Sequence, residues 1–210
     1  MDFNAYSSEV LEWLEGVRKN RGTDAEKTLM LCKNIRDYAR EQDDEKLLGY
    51  AYYYSGETYY LLNDVDKLFR NLSCSLPYLE HSRQHGLLAR AYNILAITSM
   101  NRGNAPFAMD YYLNARMYCE KYKLYDIGII ININIGMLYN NFGEYRQAEK
   151  YLEQAYDLLQ KNKEISEYYS YLLNIYIGLG NSCFYQEEYM QAQEYALRAK
   201  EVCSGHLEEL

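Results

Sequence analysis

The sequence predicts an all-α protein built from about five consecutive helix–turn–helix units. Three observations predict it. Only 2 of the 210 residues are Pro, and so little Pro lets helices run uninterrupted. Small residues return at a step of forty in two columns: Gly16, Gly56, Ala96 and Gly136, then Gly180 at 44; and, after Ile35, Ser75, Ala115 and Ala155, then Ala199 at 44. A fixed period of that size marks stacked supersecondary units, each burying its apolar face on the next. Finally, 26 Tyr stand against 5 Phe, and a large ring with a polar tip suits half-buried helix seams and binding surfaces.

The units are expected near residues 5–44, 45–84, 85–124, 125–168 and 169–210, as one solenoid over 1–210. In the first, "TDAE" (23–26) reads as a capping box, with Thr23 as N-cap and Glu26 reaching back. The acidic run "EQDDE" (41–45) reads as a solvated connection leading into the acidic first turn of the next helix. In the second unit Pro77 falls inside a helix and would leave the Ser73 carbonyl without its donor, so a kink or an early end is expected. In the third, Asn104 with Pro106 reads as a helix start, and Gly103, like Gly143 in the fourth, lies in the turn inside its unit. Arg83, Lys121, Lys123, Lys161 and Lys163 gather near second-helix C-termini, where the helix dipole favours cations.

The fourth unit holds "GIIININIG" (128–136), whose alternation and β-branching imitate a strand. Its register puts it with "RAYNILAIT" (90–98) and "LNIYIGLGN" (173–181), all in first helices. A helix is therefore predicted, apolar on most sides because neighbouring units flank it. Asn132 and Asn134 lie ~200° apart on such a helix, so one belongs to an exposed face and the other to a hydrogen-bonded helix contact. Before the fifth unit, Ala155 to Gly180 spans 25 residues against 21 at the earlier junctions. Four residues are about one turn, so an elongated helix near "KEISEYYSYLL" (163–173) is expected.

Composition excludes several functions. The net charge of −8 disfavours nucleic acid and anionic membrane as partners, since both need a basic stripe; a neutral or cationic partner suits it. The start "MDFNAYSSEV" shows no signal peptide, and no apolar run reaches the ~18 residues of a membrane span. The five Cys are odd in number and form no CxxC pair, which reads as reduced cytoplasmic thiols used mainly for packing. No glycine-rich phosphate loop, GxSxG or HExxH is present. His81 and His85 are spaced i, i+4 on an expected helix but have no third ligand, and Cys183 has no basic neighbour. The expectation is a cytoplasmic protein that is not an enzyme, with no cofactor and no metal.

The repeat resembles the tetratricopeptide repeat (TPR). The resemblance is carried by "YNILAITSMNRGNAPFAMDYYLNA" (92–115), "NINIGMLYNNFGEYRQAEKYLEQA" (132–155) and "YIGLGNSCFYQEEYMQAQEYALRA" (176–199). Tyr52, Tyr92 and Tyr176 occupy its first aromatic position, from which Asn132 departs; Glu12, Lys19 and Thr28 depart in the divergent first unit. The family's period is ~34 residues, so the longer period implies longer helices, similar to those of bacterial signalling and regulatory proteins.

The resemblance implies a right-handed superhelix whose concave groove, lined by first helices, binds a peptide or protein segment. Carried over position by position, the groove comprises Tyr50, Tyr53, Tyr54, Glu57 and Tyr60; Arg90, Asn93, Ile97 and Asn101; Ile130, Asn134, Met137, Asn140 and Asn141; and Asn174, Ile177, Asn181 and Tyr185. Asn pairs with both halves of a peptide unit and Tyr gives broad contact at low entropy cost. With Arg90 the sole cation in that set, a carboxylate clamp is not expected. The chain then reads as the sensory part of a bacterial signalling protein, of the kind that can precede a diguanylate cyclase (GGDEF) output domain, with that output expected beyond Leu210. Two alternatives are a self-associating scaffold and a stand-alone peptide-pheromone receptor. Against the latter, residues 1–20 are too short for the N-terminal output bundle such receptors carry.

Overall fold

One device, repeated at almost every connection, punctuates the chain. In the computed structural model, which describes residues 6–206, the helices are α1 (Ser8–Asn20), α2 (Ala25–Glu41), α3 (Glu45–Leu61), α4 (Val65–His81), α5 (His85–Asn101), α6 (Ala105–Tyr122), α7 (Tyr125–Asn141), α8 (Tyr145–Lys161), α9 (Tyr168–Tyr185) and α10 (Tyr189–Gly205). After most of them stands a residue with left-handed backbone: Gly22, Asp43, Asn63, Arg83, Gly103, Lys123, Gly143 and Glu187, with φ between 54° and 84°. From Asp43 on, the following N–H then reaches back five residues, as from Asp44 to Ala39 O (2.8 Å), Gln84 to Leu79 O (2.8 Å) and Leu124 to Cys119 O (3.0 Å). That is the Schellman ending, and it satisfies carbonyls the helix would otherwise orphan. Glycine adopts this backbone freely, whereas an L side chain there costs about 1–2 kcal/mol. Lys123, exposed at φ 54°, is therefore a place to relieve strain. Lys123→Gly should raise stability by about 0.5–1 kcal/mol, once glycine's larger unfolded-state entropy is subtracted; a higher urea midpoint is the check.

Three of the helices start on an aspartate cap. Asp24, Asp44 and Asp64 accept from the N–H groups of Lys27 (3.0 Å), Leu47 (2.9 Å) and Lys67 (3.2 Å). This corrects the capping-box reading of "TDAE". Asp24, in extended backbone, is the N-cap, while Thr23 Oγ1 turns back to donate to Asn20 O. Asn104 and Pro106 do open a helix, α6.

Three other expectations change. α4 runs through Pro77 to His81, so no early end occurs. His81 closes α4 and His85 opens α5, so the two do not share a helix. The four extra residues before the fifth unit form no added turn. α8 stops at Lys161 and α9 starts at Tyr168, because Ile165, Tyr168 and Tyr169 fold in against the core of that region instead of extending a helix.

Contacts divide the chain into two compact units, residues 1–111 and 112–210, with the division inside α6. In the first, Ile35, Leu47, Tyr50, Tyr53, Leu68, Leu72, Leu79, Leu88 and Leu95 are fully buried. The small-residue column explains itself there. A Cβ on Gly56 would sit 2.5 Å from Leu72 Cδ2, so α3 and α4 touch where the side chain is missing. The second unit repeats the arrangement. A Cβ on Gly136 would lie 2.6 Å from Leu152 Cγ, over a core that includes Ile129, Ile133, Leu152, Leu159 and Ile175.

"GIIININIG" is helical, within α7, and Ile127, Ile129, Ile131, Ile133 and Ile135 are all buried. Packing on several sides, not local propensity, decides that segment. Among the described residues no helix is long and apolar enough to cross a membrane.

Candidate functional site

In the first unit the groove tyrosines turn out to be core. Tyr50 and Tyr53 are each 1% exposed, and Tyr54 is buried beside them. The three rings form one cluster, Tyr50–Tyr54 at 4.5 Å and Tyr53–Tyr54 edge-on at 4.9 Å. Their hydroxyls are all engaged. Tyr50 donates to Leu14 O (3.2 Å), Tyr53 donates to Glu57 Oε1 (2.8 Å), and Tyr54 accepts from Arg21 Nη1 (3.4 Å). Burial, then the Glu57 carboxylate, pushes the Tyr53 phenol well above its ordinary value. Their assignment as exposed groove side chains is corrected. On these helices a tyrosine that packs and one that binds have the same spacing, and only the depth of the neighbouring helix separates them. Glu57, Asn93 and Ile97 are half-buried; Tyr60, Arg90 and Asn101 are exposed.

In the second unit Asn140 is used up structurally. Its Nδ2 donates to Gly178 O (2.9 Å) and its Oδ1 accepts from Ser182 Oγ (2.8 Å), which ties α7 to α9. Asn174 is exposed, with Nδ2 bonded to Ser170 O within α9. Ile130, Asn134 and Met137 are half-buried, and Asn141, Ile177, Asn181 and Tyr185 are exposed. Asn132 is the buried member of its pair, but its Oδ1 meets no hydrogen-bond donor, contrary to the expected helix contact.

Asn181 and Ile177 belong to an apolar trough of about 600 Å³ between α9 and α10, with Phe184, Tyr189, Ala192 and Ala196 among its walls. Phe184 and Tyr189 are 55% and 59% exposed, and neither was singled out from sequence.

The repeat register says what this surface is. Ile133, Met137, Asn140, Ala148 and Leu152 map, 44 residues on, to Ile177, Asn181, Phe184, Ala192 and Ala196. Several of the first set carry α9, since Gly178 sits where a Cβ would meet Leu152 Cδ1 at 2.8 Å and Met137 Sδ at 3.2 Å. The trough is thus the counterpart of a surface that takes a helix one hairpin earlier. It is deeper because Ala196 replaces Leu152, so a Cβ on Gly180 would meet nothing closer than Tyr195 Cβ at 3.5 Å. That Leu-to-Ala exchange was the available sequence signal.

Behind the trough, Glu149, Cys183 and Glu188 place one donor atom each within 4.8 Å of one another. Gln186 Nε2 donates to Glu149 Oε1 (2.7 Å), and Cys183 Sγ lies 3.7 Å from the same oxygen. Burial, and then the Glu149 and Glu188 charges, push the Cys183 thiol up to about 11. Burial also raises Glu149. A protonated thiol beside an amide-bound carboxylate makes a hydrogen-bonded cluster, not an activated nucleophile.

No family model and no curated protein matches the sequence. Solved structures do. The apo form of RapI aligns over 94% of this chain and 71% of that chain, with a TM-score of 0.79 at 16% identity. BtubC from P. vanneervenii aligns over 94% of this chain and 89% of that chain, with a TM-score of 0.70 at 16% identity. A putative kinesin light chain from Podosopora anserina, with nearly identical TPR-like repeats, aligns over 96% of this chain and 99% of that chain, at 0.70 and 13%. The similarity runs over nearly the whole chain and agrees with the forty-residue hairpins: the fold is that of the tetratricopeptide-like helical-repeat proteins.

Proposed function

We propose that the chain is a non-enzymatic interaction module that binds a helical segment of a partner protein in the α9–α10 trough. The observation that carries this reading is the register equivalence: the same positions, one hairpin earlier, take α9 against Leu152 and Met137. The fitting occupant is an amphipathic helix that lays apolar side chains between Ile177 and Phe184 and offers polar backbone or side-chain groups to Asn181. Its flanks are neutral or cationic, in keeping with the −8 charge of the chain and the nearby Glu187, Glu188 and Glu194. The resemblance of the long repeats to bacterial regulatory proteins supports a sensory role in the cytoplasm.

A display library of helical peptides, selected on the purified chain, tests the proposal. Ile177→Asp and Phe184→Asp should each weaken the recovered peptides at least about tenfold, with unchanged circular dichroism. Recovery of no peptide, or equal binding by both variants, overturns it.

The size of the exposed apolar surface also favours a second reading, self-association through the same trough. In that case the mass by sedimentation rises with concentration, Phe184→Asp returns it to the monomer, and no peptide is selected.

A further inference from the structure

The first aromatic position of the repeat is filled in three units and lacks an aromatic in two, at Glu12 of the divergent first unit and at Asn132 of the fourth. Tyr52 shows what the position does. Its ring stacks on Tyr78 at 6.0 Å and 4°, Arg36 lies 5.3 Å above it, and its hydroxyl accepts from Arg40 Nη2 at 2.9 Å. Tyr92 fills the next such place beside Tyr111, where burial and then the Glu80 carboxylate raise its phenol. Tyr176 fills the last, between Tyr156 and Tyr195. In α7 the position is Asn132.

What remains there is a cleft of about 330 Å³. A cavity of about 150 Å³ is enough to hold benzene. Stepping Arg36, Arg40 and Tyr78 forward by 80 gives Arg116, Glu120 and Leu158, and all three line the cleft together with Asn132 and Gly128. Gly128 leaves its floor low: a Cβ there would meet only Cys119 Cβ at 3.6 Å and Leu158 Cδ1 at 4.0 Å. Asn132 is 5% exposed and its Oδ1 has no hydrogen-bond partner. A buried acceptor without a donor is costly to leave, by about 1–3 kcal/mol.

We infer that this cleft is a binding site for a neutral phenol, which takes the place the other units give to their own tyrosine. The ring lies on Leu158, as Tyr52 lies on Tyr78, and beside the Arg116 guanidinium, which donates to Glu120 Oε1 at 2.7 Å and sits 4.9 Å over the Tyr151 ring. The hydroxyl donates to the Glu120 carboxylate, the acceptor that stands where Glu80 stands near Tyr92. The rim balances Arg116 and Lys161 against Glu120 and Asp157, which suits an uncharged ligand over a phenolate. The site involves other helices than the trough, so its test is independent of the proposal above.

Titration of the ¹⁵N-labelled chain with p-cresol, followed by NMR, reads the site. Saturable shifts are expected at the Gly128 amide and the Asn132 side-chain amide. Toluene, which lacks the hydroxyl, should bind at least about tenfold more weakly, and Glu120→Ala should weaken p-cresol by about tenfold. Asn132→Tyr supplies its own ring; it should abolish binding and raise the melting temperature. N-acetyl-tyrosinamide separates the sources. Tighter binding than p-cresol identifies a tyrosine of a partner chain, and weaker binding identifies a free phenol; both fit the site. Absence of saturable p-cresol shifts overturns the inference, as does undiminished binding by Asn132→Tyr. Should that variant not fold, an unchanged affinity in Glu120→Ala, whose side chain is largely exposed, overturns it alone.

Discussion

Leu152→Ala should destabilise the second unit by about 2–5 kcal/mol, at the upper end of that range for a core leucine. Leu152 is fully buried and serves two interfaces. It lies against Gly136 inside the α7–α8 hairpin and against Gly178 of α9, at positions where a Cβ would be 2.6 Å and 2.8 Å from its side chain. Removing it opens a cavity that two helices border, and neither backbone can collapse without losing its other contacts. The matching variant, Gly178→Ala, gains about 1 kcal/mol of helix propensity. In the parent chain the clash with Leu152 outweighs that gain, since overpacking costs about 1–3 kcal/mol. In the Leu152→Ala background the clash is gone, so the same change should become neutral or stabilising. Urea denaturation of the four proteins of this cycle measures the coupling. Simple additivity would show that the close approach of α9 to Leu152 does not set the packing.

Above pH ~10, the first unit should lose stability steeply. Tyr50, Tyr53 and Tyr54 all have phenol pKa values raised by burial, and at Tyr53 the Glu57 carboxylate that accepts its proton adds to the burial. The sign follows from proton binding. Below the ordinary tyrosine value both states keep the proton and stability is complete. Above it the unfolded chain ionises while the folded chain stays neutral, so the unfolded state binds fewer protons and stability falls as pH rises. Each tyrosine that stays neutral adds a slope of about 1.4 kcal/mol per pH unit. Tyr53→Phe removes one such group. It should lower stability at neutral pH by about 1 kcal/mol, for the lost bond to Glu57, and make the alkaline fall shallower by one proton. Stability from urea curves at several alkaline pH values gives the slope. An identical slope in Tyr53→Phe would falsify the buried assignment of that ring.

The same residues show where sequence reading reaches and where it stops. Tyr50 and Tyr54 lie on a first helix whose counterparts line the expected groove, and Tyr50 shares its repeat position with the exposed Arg90 and Asn174. The structure buries both tyrosines, since the divergent first hairpin presents Leu14 O and Arg21 to that side of α3. Asn140 had the right chemistry for reading a peptide backbone, and it reads one: that of Gly178. The four residues inserted near 163–173 equal one helical turn in length, but they add no turn: Ile165 found a core to enter, and a loop formed in place of a longer helix. Asn132, a departure from the repeat and expected with Asn134 to supply one hydrogen-bonded helix contact, instead borders a cleft.

By itself the sequence determined the helices, their pairing and their forty-residue period. Those depend on local signals: capping side chains, left-handed turn residues, and small residues wherever two helices of a hairpin meet. It also determined which helix would be apolar on most sides, despite a strand-like alternation of Ile and Asn. Tertiary structure alone decided which members of each repeated column stay exposed. Exposure at a repeat position depends on whether the neighbouring hairpin supplies a covering side chain, and that is a property of two distant residues together, as Leu152 with Gly178 makes plain.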